Sequence, residues 1–324
     1  MNLAVIGAGL AGLVVARQLG ENFKVKVFEK SRGVSGRLAT RYAEDFVFDH
    51  GAQYFTARSR AFRSLIRPLL TEGVLQNWIP KVVTIEKNKK PYKRQWFEPH
   101  YVATPNMNEL GRVLCRDLVV IKECNILSLV ADSGGWRLEQ AGGELTGRFD
   151  WVISTAPAPQ TLTILPSAFL HRQILESVKM TACFSLMLGF DEAPAFNFDA
   201  AIVKNSAIGW LAVNSHKPGR DGSYTLLVQT SPEWADEHID MRPDRVESTL
   251  ISELQELIDI DWPVPVHSDL HRWRYAGTSV AADEDYLIDH KNQLAACGDW
   301  CIEGRVEAAF LSARGLAREL NRII

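Results

Sequence analysis

Residues 2–30 read NLAVIGAGLAGLVVARQLGENFKVKVFEK, and the order of residue types in this stretch decides the fold. A β-rich run from Leu3 to Ile6 leads into Gly7-Ala8-Gly9-Leu10-Ala11-Gly12. An apolar helical stretch follows to Leu19, and a second β-branched run ends at Glu29. Strand, glycine turn, helix and strand in this register predict a βαβ unit of the dinucleotide-binding type. Gly7 permits the tight turn out of the first strand. Gly9 lets backbone approach a pyrophosphate with no Cβ in the way, and Gly12 allows helix and strand to pack closely. Phosphates would sit on the free N–H groups at the helix start. Glu29 stands 17 residues after Gly12, where a carboxylate accepts hydrogen bonds from both hydroxyls of an adenosine ribose and disfavours a 2′-phosphate. FAD and NAD both satisfy this much.

The remainder of the 324 residues leaves room for two domains and a substantial core. An apolar content of 46% and a charged content of 23% are those of a globular chain. A formal charge of −3 gives no electrostatic case for nucleic acid or membrane partners. The motif starts at residue 3, no signal peptide precedes it, and no stretch reaches the length of a membrane span, so a cytoplasmic protein is expected. Cys115, Cys124, Cys183, Cys297 and Cys301 are scattered and odd in number, forming neither a disulfide framework nor a zinc pattern. Cys297 and Cys301 read as small buried residues, and no metal site is expected.

Along the chain, residues 31–55 are rich in Gly and Arg and carry turn signals. Residues 59–77 read as helix interrupted at Pro68. Residues 78–103 read as a hairpin whose basic run, Lys87, Lys89, Lys90, Lys93 and Arg94, is a solvated turn. A helix with Thr104 as N-cap and Pro105 at its first position is expected next. Strands with Gly turns then close on the buried run Trp151–Ser154. Between about 161 and 287 the texture becomes mixed β, with strands at TACFSLMLGF, GWLAVN, YTLLVQT and DLHRWRYA and a helix from Arg245 to Ile258. The end returns to the opening style, with a strand at QLAACGD and a helix from Val306 to Asn321. The expectation is therefore an α/β fold: a discontinuous Rossmann-type FAD-binding domain (1–58, 100–160 and 288–324) carrying an inserted α+β substrate domain (59–99 and 161–287) on a mixed or antiparallel sheet.

Two further motifs bear on the cofactor. In SRGVSGRLATR, Gly33 and Gly36 free the backbone to pass close to a ligand, while Arg37 offers a bidentate donor to a pyrophosphate. In CGDW, Asp299 follows a strand, where it would bond a polyol. EGRVEAAFLSARG opens another helix, whose N–H groups near Gly304 to Glu307 suit an electron-rich ring edge. A second GxGxxG is absent.

With KSRGVSGRLATRY, DHGAQYFTAR, VISTAPAPQT, LVQTSPEW, HRWRYA and CGDWCIEGRVEAAFLS, the chain resembles the flavin-containing amine oxidase superfamily. DHGAQYFTAR, the Trp-Arg-Tyr run and GDWC followed by GRVE narrow the resemblance to its bacterial renalase-like group. The resemblance implies non-covalent FAD, with Gly7, Gly9 and Gly12 at the pyrophosphate, Glu29 on the adenosine ribose, Arg37 on the phosphates, and Lys30 and Gly36 also among the cofactor-binding residues. It puts Ile126 at the adenine, Gly51, Ala52 and Gln53 beside the isoalloxazine, Asp299 near the ribityl chain, and Arg305, Val306 and Glu307 at the pyrimidine edge. Trp273, Asn214 and Gln229 would line the substrate pocket. His50 is read as flavin-adjacent backbone, without an acid–base role. Ser35 departs from the family's paired glycines and reaches positive φ less cheaply.

The implied reaction is oxidation of the 2- or 6-dihydro isomers of NAD(P)H to NAD(P)⁺, with O2 as acceptor and H2O2 as product. Such a hydride donor needs no general base, and no catalytic constellation stands out in the sequence. The alternatives are a flavin-containing amine oxidase acting on a small amine, an NAD-dependent dehydrogenase and a flavin-binding redox protein without turnover.

Overall fold

The computed structural model describes residues 1–95, 97–220 and 222–323. β1 (Asn2–Ile6), α1 (Leu10–Gly20) and β2 (Lys24–Phe28) form where the opening pattern places them. β3 (Arg41–Ala43) and β4 (Phe46–Phe48) make a short antiparallel ribbon. α2 (Arg60–Thr71) follows, its first turn capped by the Ser59 hydroxyl, which accepts from Phe62 N at 3.1 Å. β5 (Leu75–Trp78) pairs with β8 (His100–Ala103), and the hairpin β6 (Val82–Glu86) and β7 (Tyr92–Lys93) lies between them in sequence. Next come α3 (Glu109–Leu114), β9 (Val119–Ile121), the paired β10 (Ile126–Asp132) and β11 (Gly135–Gln140), and β12 (Trp151–Ser154). α4 (Ala158–Ile164) and α5 (Arg172–Ser177) lead to β13 (Lys179–Phe190), β14 (Ala200–Lys204), β15 (Ile208–Val213) and β16 (Tyr224–Thr230). The chain closes through α6 (Pro232–Glu237), α7 (Pro243–Leu257), β17 (His267–Val280), β18 (Leu287–Asp289), β19 (Leu294–Ala296) and α8 (Val306–Ile323).

Two sheets organise these elements. The six-stranded sheet has the order β18-β19-β12-β1-β2-β9 and is parallel except at the β18 edge. Strand alternation gives β1 two buried faces. Leu3 and Val5 share a core with Leu13 of α1 and Phe310 and Leu316 of α8, while Ala4 and Ile6 share one with Leu138 of β11 and Ala158 of α4. Phe62 of α2 packs on Phe310 with ring centroids 5.2 Å apart.

The seven-stranded sheet has the order β17-β13-β16-β15-β14-β6-β7 and is antiparallel except where β14 runs with β6. One face carries Phe184, Leu186, Leu226 and Val228 against Ala235 of α6 and Val246, Leu250 and Leu254 of α7. The other face carries Met187, Ala212 and Leu227 against Phe46 and Phe48 of β4. Cys183, Ser185, Gln229 and Trp273 lie in register further along this second face.

Three expectations change, the first being that Pro68 lies inside α2 and does not interrupt it. The helix expected over 59–77 ends at Thr71, because the apolar residues Leu75 and Trp78 turn inward as the ends of a strand. The helix expected from Thr104 starts only at Glu109, and the Thr104 hydroxyl donates to Gly73 O at 2.5 Å instead of capping it. In the basic run, Lys87 pairs with Glu256 and Lys89 with Glu86, as suits an exposed turn; Trp96 of the same stretch lies outside the described residues.

Candidate active site

The glycine turn forms a closed cradle. A Cβ on Gly12 would lie 1.9 Å from Gly7 O, and Gly7 itself sits at φ +102°. Only glycine fits either place. Gly9 caps α1 without a side-chain hydrogen bond, which leaves first-turn N–H groups for an anion. Glu29, buried, accepts from Ala8 N and Ser31 N, each at 2.8 Å, one on each carboxylate oxygen. A carboxylate has about four acceptor sites, so capacity for ribose hydroxyls remains. Cys124 N donates to Glu29 O at 2.9 Å and brings Ile126, at the start of β10, to the same end. Lys30 is exposed beside it.

The cradle continues into the second glycine loop. Gly9 and Ser35 form a parallel bridge, and a Cβ on Gly36 would stand 3.1 Å from Gly9 Cα. Ser35 does adopt φ +95°, and its buried hydroxyl donates to Asn108 O at 2.9 Å. Arg37 forms a bidentate ion pair with Asp299 and donates to Ala276 O at 3.1 Å. Arg37 O accepts from Ala52 N at 2.8 Å, and a Cβ on Gly51 would lie 2.0 Å from the same oxygen. One line of backbone therefore runs from Gly9 through Arg37 to Gly51 and Asp299.

At the start of α8, the Glu307 carboxylate accepts from Arg58 N at 2.8 Å and Ser59 N at 2.6 Å. Burial would raise its pKa, but these hydrogen bonds and Arg58 hold it below the usual range. Its side chain thus fastens the segment entering α2. Arg305 is exposed and lies 3.4 Å from Glu303.

The three residues assigned to the substrate pocket converge on one backbone segment. Trp273 Nε1 and Ser185 Oγ both donate to His50 O at 2.8 Å, and Gln229 Nε2 donates to Gly51 O at 2.9 Å. Asn214 Nδ2 donates to Val47 O at 3.0 Å while its Oδ1 accepts from Asp49 N at 3.4 Å. Asn214, 1% exposed, has both ends of its amide bonded to this backbone. Gln229 is half-buried with its donor committed, and Trp273 is half-buried with its ring as the available surface.

That ring belongs to a cluster. His50 stacks on Trp273 at 5.2 Å, and His271 meets Trp273 edge-on at 4.3 Å. Burial, then His271 and Arg41, push the His50 pKa down to about 3; burial and Arg41 push His271 to about 4. Both rings are neutral at pH 7. Tyr54, Trp78, His100 and Trp210 form a second aromatic group, with centroids 4.4–6.1 Å from Tyr54.

Behind the segment lies a group the sequence did not reveal. Asp49, Lys217 and Arg220 are buried together, with Arg220 Nη2 2.5 Å and Lys217 Nζ 3.5 Å from Asp49 Oδ2. Burial would raise the Asp49 pKa, but Lys217 and Arg220 outweigh it and hold the carboxyl low. Burial pushes Lys217 down to about 8. Lys217 and Arg220 come from NSHKPGR, which reads only as a polar turn. Cys297 and Cys301 are buried with raised pKa values, Cys301 at about 12, as inert core thiols.

The uncapped helix start, the glycine cradle and the buried Glu29 carboxylate would suit a flavin dinucleotide, while the Arg37 guanidinium is paired with Asp299. Residues 93–321 match the family model described as flavin containing amine oxidoreductase, and residues 5–69 match the NAD(P)-binding Rossmann-like domain. Among solved structures, a protein assigned as a protoporphyrinogen oxidase from Exiguobacterium sp. 255-15 superposes with a TM-score of 0.79 at 12% identity, covering 99% of this chain and 98% of that one. Putrescine oxidase bound to putrescine gives 0.72 at 12% identity, covering 99% of each chain. Reduced UDP-galactopyranose mutase gives 0.76 at 11% identity, covering 99% of this chain and 94% of that one. At these identities the superpositions establish the fold, while the family match establishes an oxidoreductase with FAD as its cofactor. The chain belongs to the flavin containing amine oxidoreductase family.

Proposed function

We propose that this enzyme oxidises a dihydronicotinamide, the 2- or 6-dihydro isomer of NAD(P)H, with transfer of electrons to O2 and formation of H2O2. The observation that carries this reading is the charge state of the surface beside residues 49–53. Among the described residues, Asp49 has Lys217 and Arg220, and Asp269 has Arg41 at 3.5 Å. The neighbouring histidines are held neutral. With these charges paired and the histidines neutral, the described residues suit the flat, uncharged dihydropyridine ring of such a donor.

Bound FAD, held without a covalent link, supplies the hydride acceptor and the route to oxygen. The chain's part is orientation. Trp273, fixed by its bond to His50 O, presents a rigid ring face against which a dihydropyridine stacks. Gln229 and Ser185 hold the 50–51 carbonyls so that the backbone beside the flavin keeps its place. On this reading the FAD-binding unit comprises 1–58, 100–160 and 288–324, and the substrate unit 59–99 and 161–287.

One observation favours a small amine instead: the Tyr54, Trp78, His100 and Trp210 group resembles a cation-binding aromatic box. Lys217 Nζ, however, already lies 5.7 Å over the Trp78 ring. Anaerobic stopped-flow absorbance decides between them, following flavin bleaching with 2-, 4- and 6-dihydro-NAD and with a panel of amines. Fast bleaching by the 2- or 6-isomer alone is expected. Bleaching by amines and not by the isomers overturns the proposal and leaves family and cofactor intact.

A further inference from the structure

The buried set behind the 49–53 backbone is unbalanced in charge. Lys217 and Asp49 have fully buried side chains, and that of Arg220 is 3% exposed. Asp49 Oδ1 accepts from Thr40 Oγ1 at 2.8 Å and Met107 N at 2.9 Å, and its Oδ2 faces both cations. Arg220 spreads part of its charge onto Ala103 O and Pro218 O, at 2.6 and 2.7 Å. Among the described residues, Asp49 is the one carboxylate with which either cation pairs. Two positive charges thus stand against one negative charge, out of water. Desolvation costs several kcal/mol per ion, so an apolar filling would serve stability better than a third charge.

The surplus is aimed at the cofactor side. Lys217 Nζ donates to Gln53 Oε1 at 3.0 Å, and Gln53 Nε2 donates to Asp49 O at 2.6 Å and Gly51 O at 2.9 Å. Gly51 and Ala52 pack on Arg37 O, within the line of loops from Gly9 to Asp299. The ammonium is therefore two hydrogen bonds from the backbone that borders the FAD site. In an interior of low effective dielectric, a charge acts across such a separation. Reduction places negative charge on a flavin ring, so the surplus cation discriminates between its two redox states.

We propose that Lys217 is a positioning residue of the flavin site: it holds the 49–53 backbone through Gln53, and its uncompensated charge favours reduced over oxidised FAD. This inference rests on FAD and is independent of which substrate is oxidised.

The test is the midpoint potential of the holoenzyme, measured by anaerobic photoreduction against a reference dye. Lys217→Gln keeps a donor for Gln53 and loses the charge; Lys217→Met loses both. Each is expected to lower the reduced-to-oxidised ratio at the wild-type midpoint at least tenfold, about 30 mV for a two-electron couple. Lys217→Met is also expected to retain less FAD. Lys87→Gln, on the exposed hairpin, is the control and leaves the potential unchanged. An unaltered potential in Lys217→Gln overturns the proposal whatever happens to turnover, as does an equal drop in Lys87→Gln. If Lys217→Met does not fold, the Gln variant still decides.

Discussion

At the scale of single residues, Ser35 shows how a departure from a motif is absorbed. A serine at φ +95° carries backbone strain of about 1–3 kcal/mol, and its hydroxyl bond to Asn108 O offsets about 1 kcal/mol of it. Ser35→Ala keeps the strain and loses the bond, whereas Ser35→Gly loses both. Side-by-side thermal unfolding is expected to place the glycine variant above the alanine variant by roughly 1 kcal/mol. Gly12 offers no such latitude, because an added methyl meets Gly7 O at 1.9 Å. Gly12→Ala should purify with little or no FAD, read from the ratio of flavin to protein absorbance; full loading would show that the turn can move. The cradle glycines and Glu29 were legible in the sequence because their spacing is local. Asp49, Lys217 and Arg220 were not, because a buried ion set joined across 168 residues leaves no periodic trace.

At the scale of elements, the telling contact is Glu307, which ties the start of α8 to the segment entering α2. Two backbone donors depend on its carboxylate, so Glu307→Ala should cost about 1–2 kcal/mol, visible as a lower melting temperature. Its pKa is depressed, so this contribution is present above the unfolded value near 4.5 and fades as pH falls through the lower folded value. β17 makes the second element-scale prediction. Trp273→Phe removes the bond to His50 O while keeping a ring; flavin reduction should slow several-fold with FAD content unchanged, and equal rates would return Trp273 to a packing role. Element types were mostly readable, since α7 and the central strands have clear periodicities. The misjudged end near 72 falls where Leu75 and Trp78 belong instead to the β5–β8 ribbon, whose partner strand lies some 25 residues away in sequence; near 104 the Thr104 hydroxyl is taken by Gly73 O and does not cap a helix.

At the scale of the whole molecule, the seven-stranded sheet and the turn after β15 hold the segment 47–51 at a junction made of its carbonyls, taken by Trp273, Ser185, Gln229 and Asn214. His50 and His271 sit at this junction with pKa values of about 3 and 4 against 6.5 when unfolded. Between those limits the unfolded chain binds more protons than the folded one, so stability declines as pH drops below about 6.5 and continues to decline toward 4. A melting-temperature series from pH 7.5 to 5 checks this, and His271→Gln should flatten the slope. The texture of the sequence, similar at its two ends and different between, agrees with β1, β2, β18 and β19 sharing one sheet while β13 to β17 lie in the other. The junction itself was not legible there, because it is built from backbone oxygens, which every sequence possesses.

The six-stranded sheet also imposes an order in time. β1 and β2 leave the ribosome well before the neighbours that bury them, since β12, β19 and α8 come from residues 151 onward and Phe310 and Leu316 close the core over Leu3 and Val5. At about 5–20 residues per second, the apolar face of β1 waits on the order of tens of seconds for α8 to be made. Arg37 likewise waits for Asp299. The apolar face of β1 is thus open until α8 is made, and a cofactor site that includes Asp299 is completed only then.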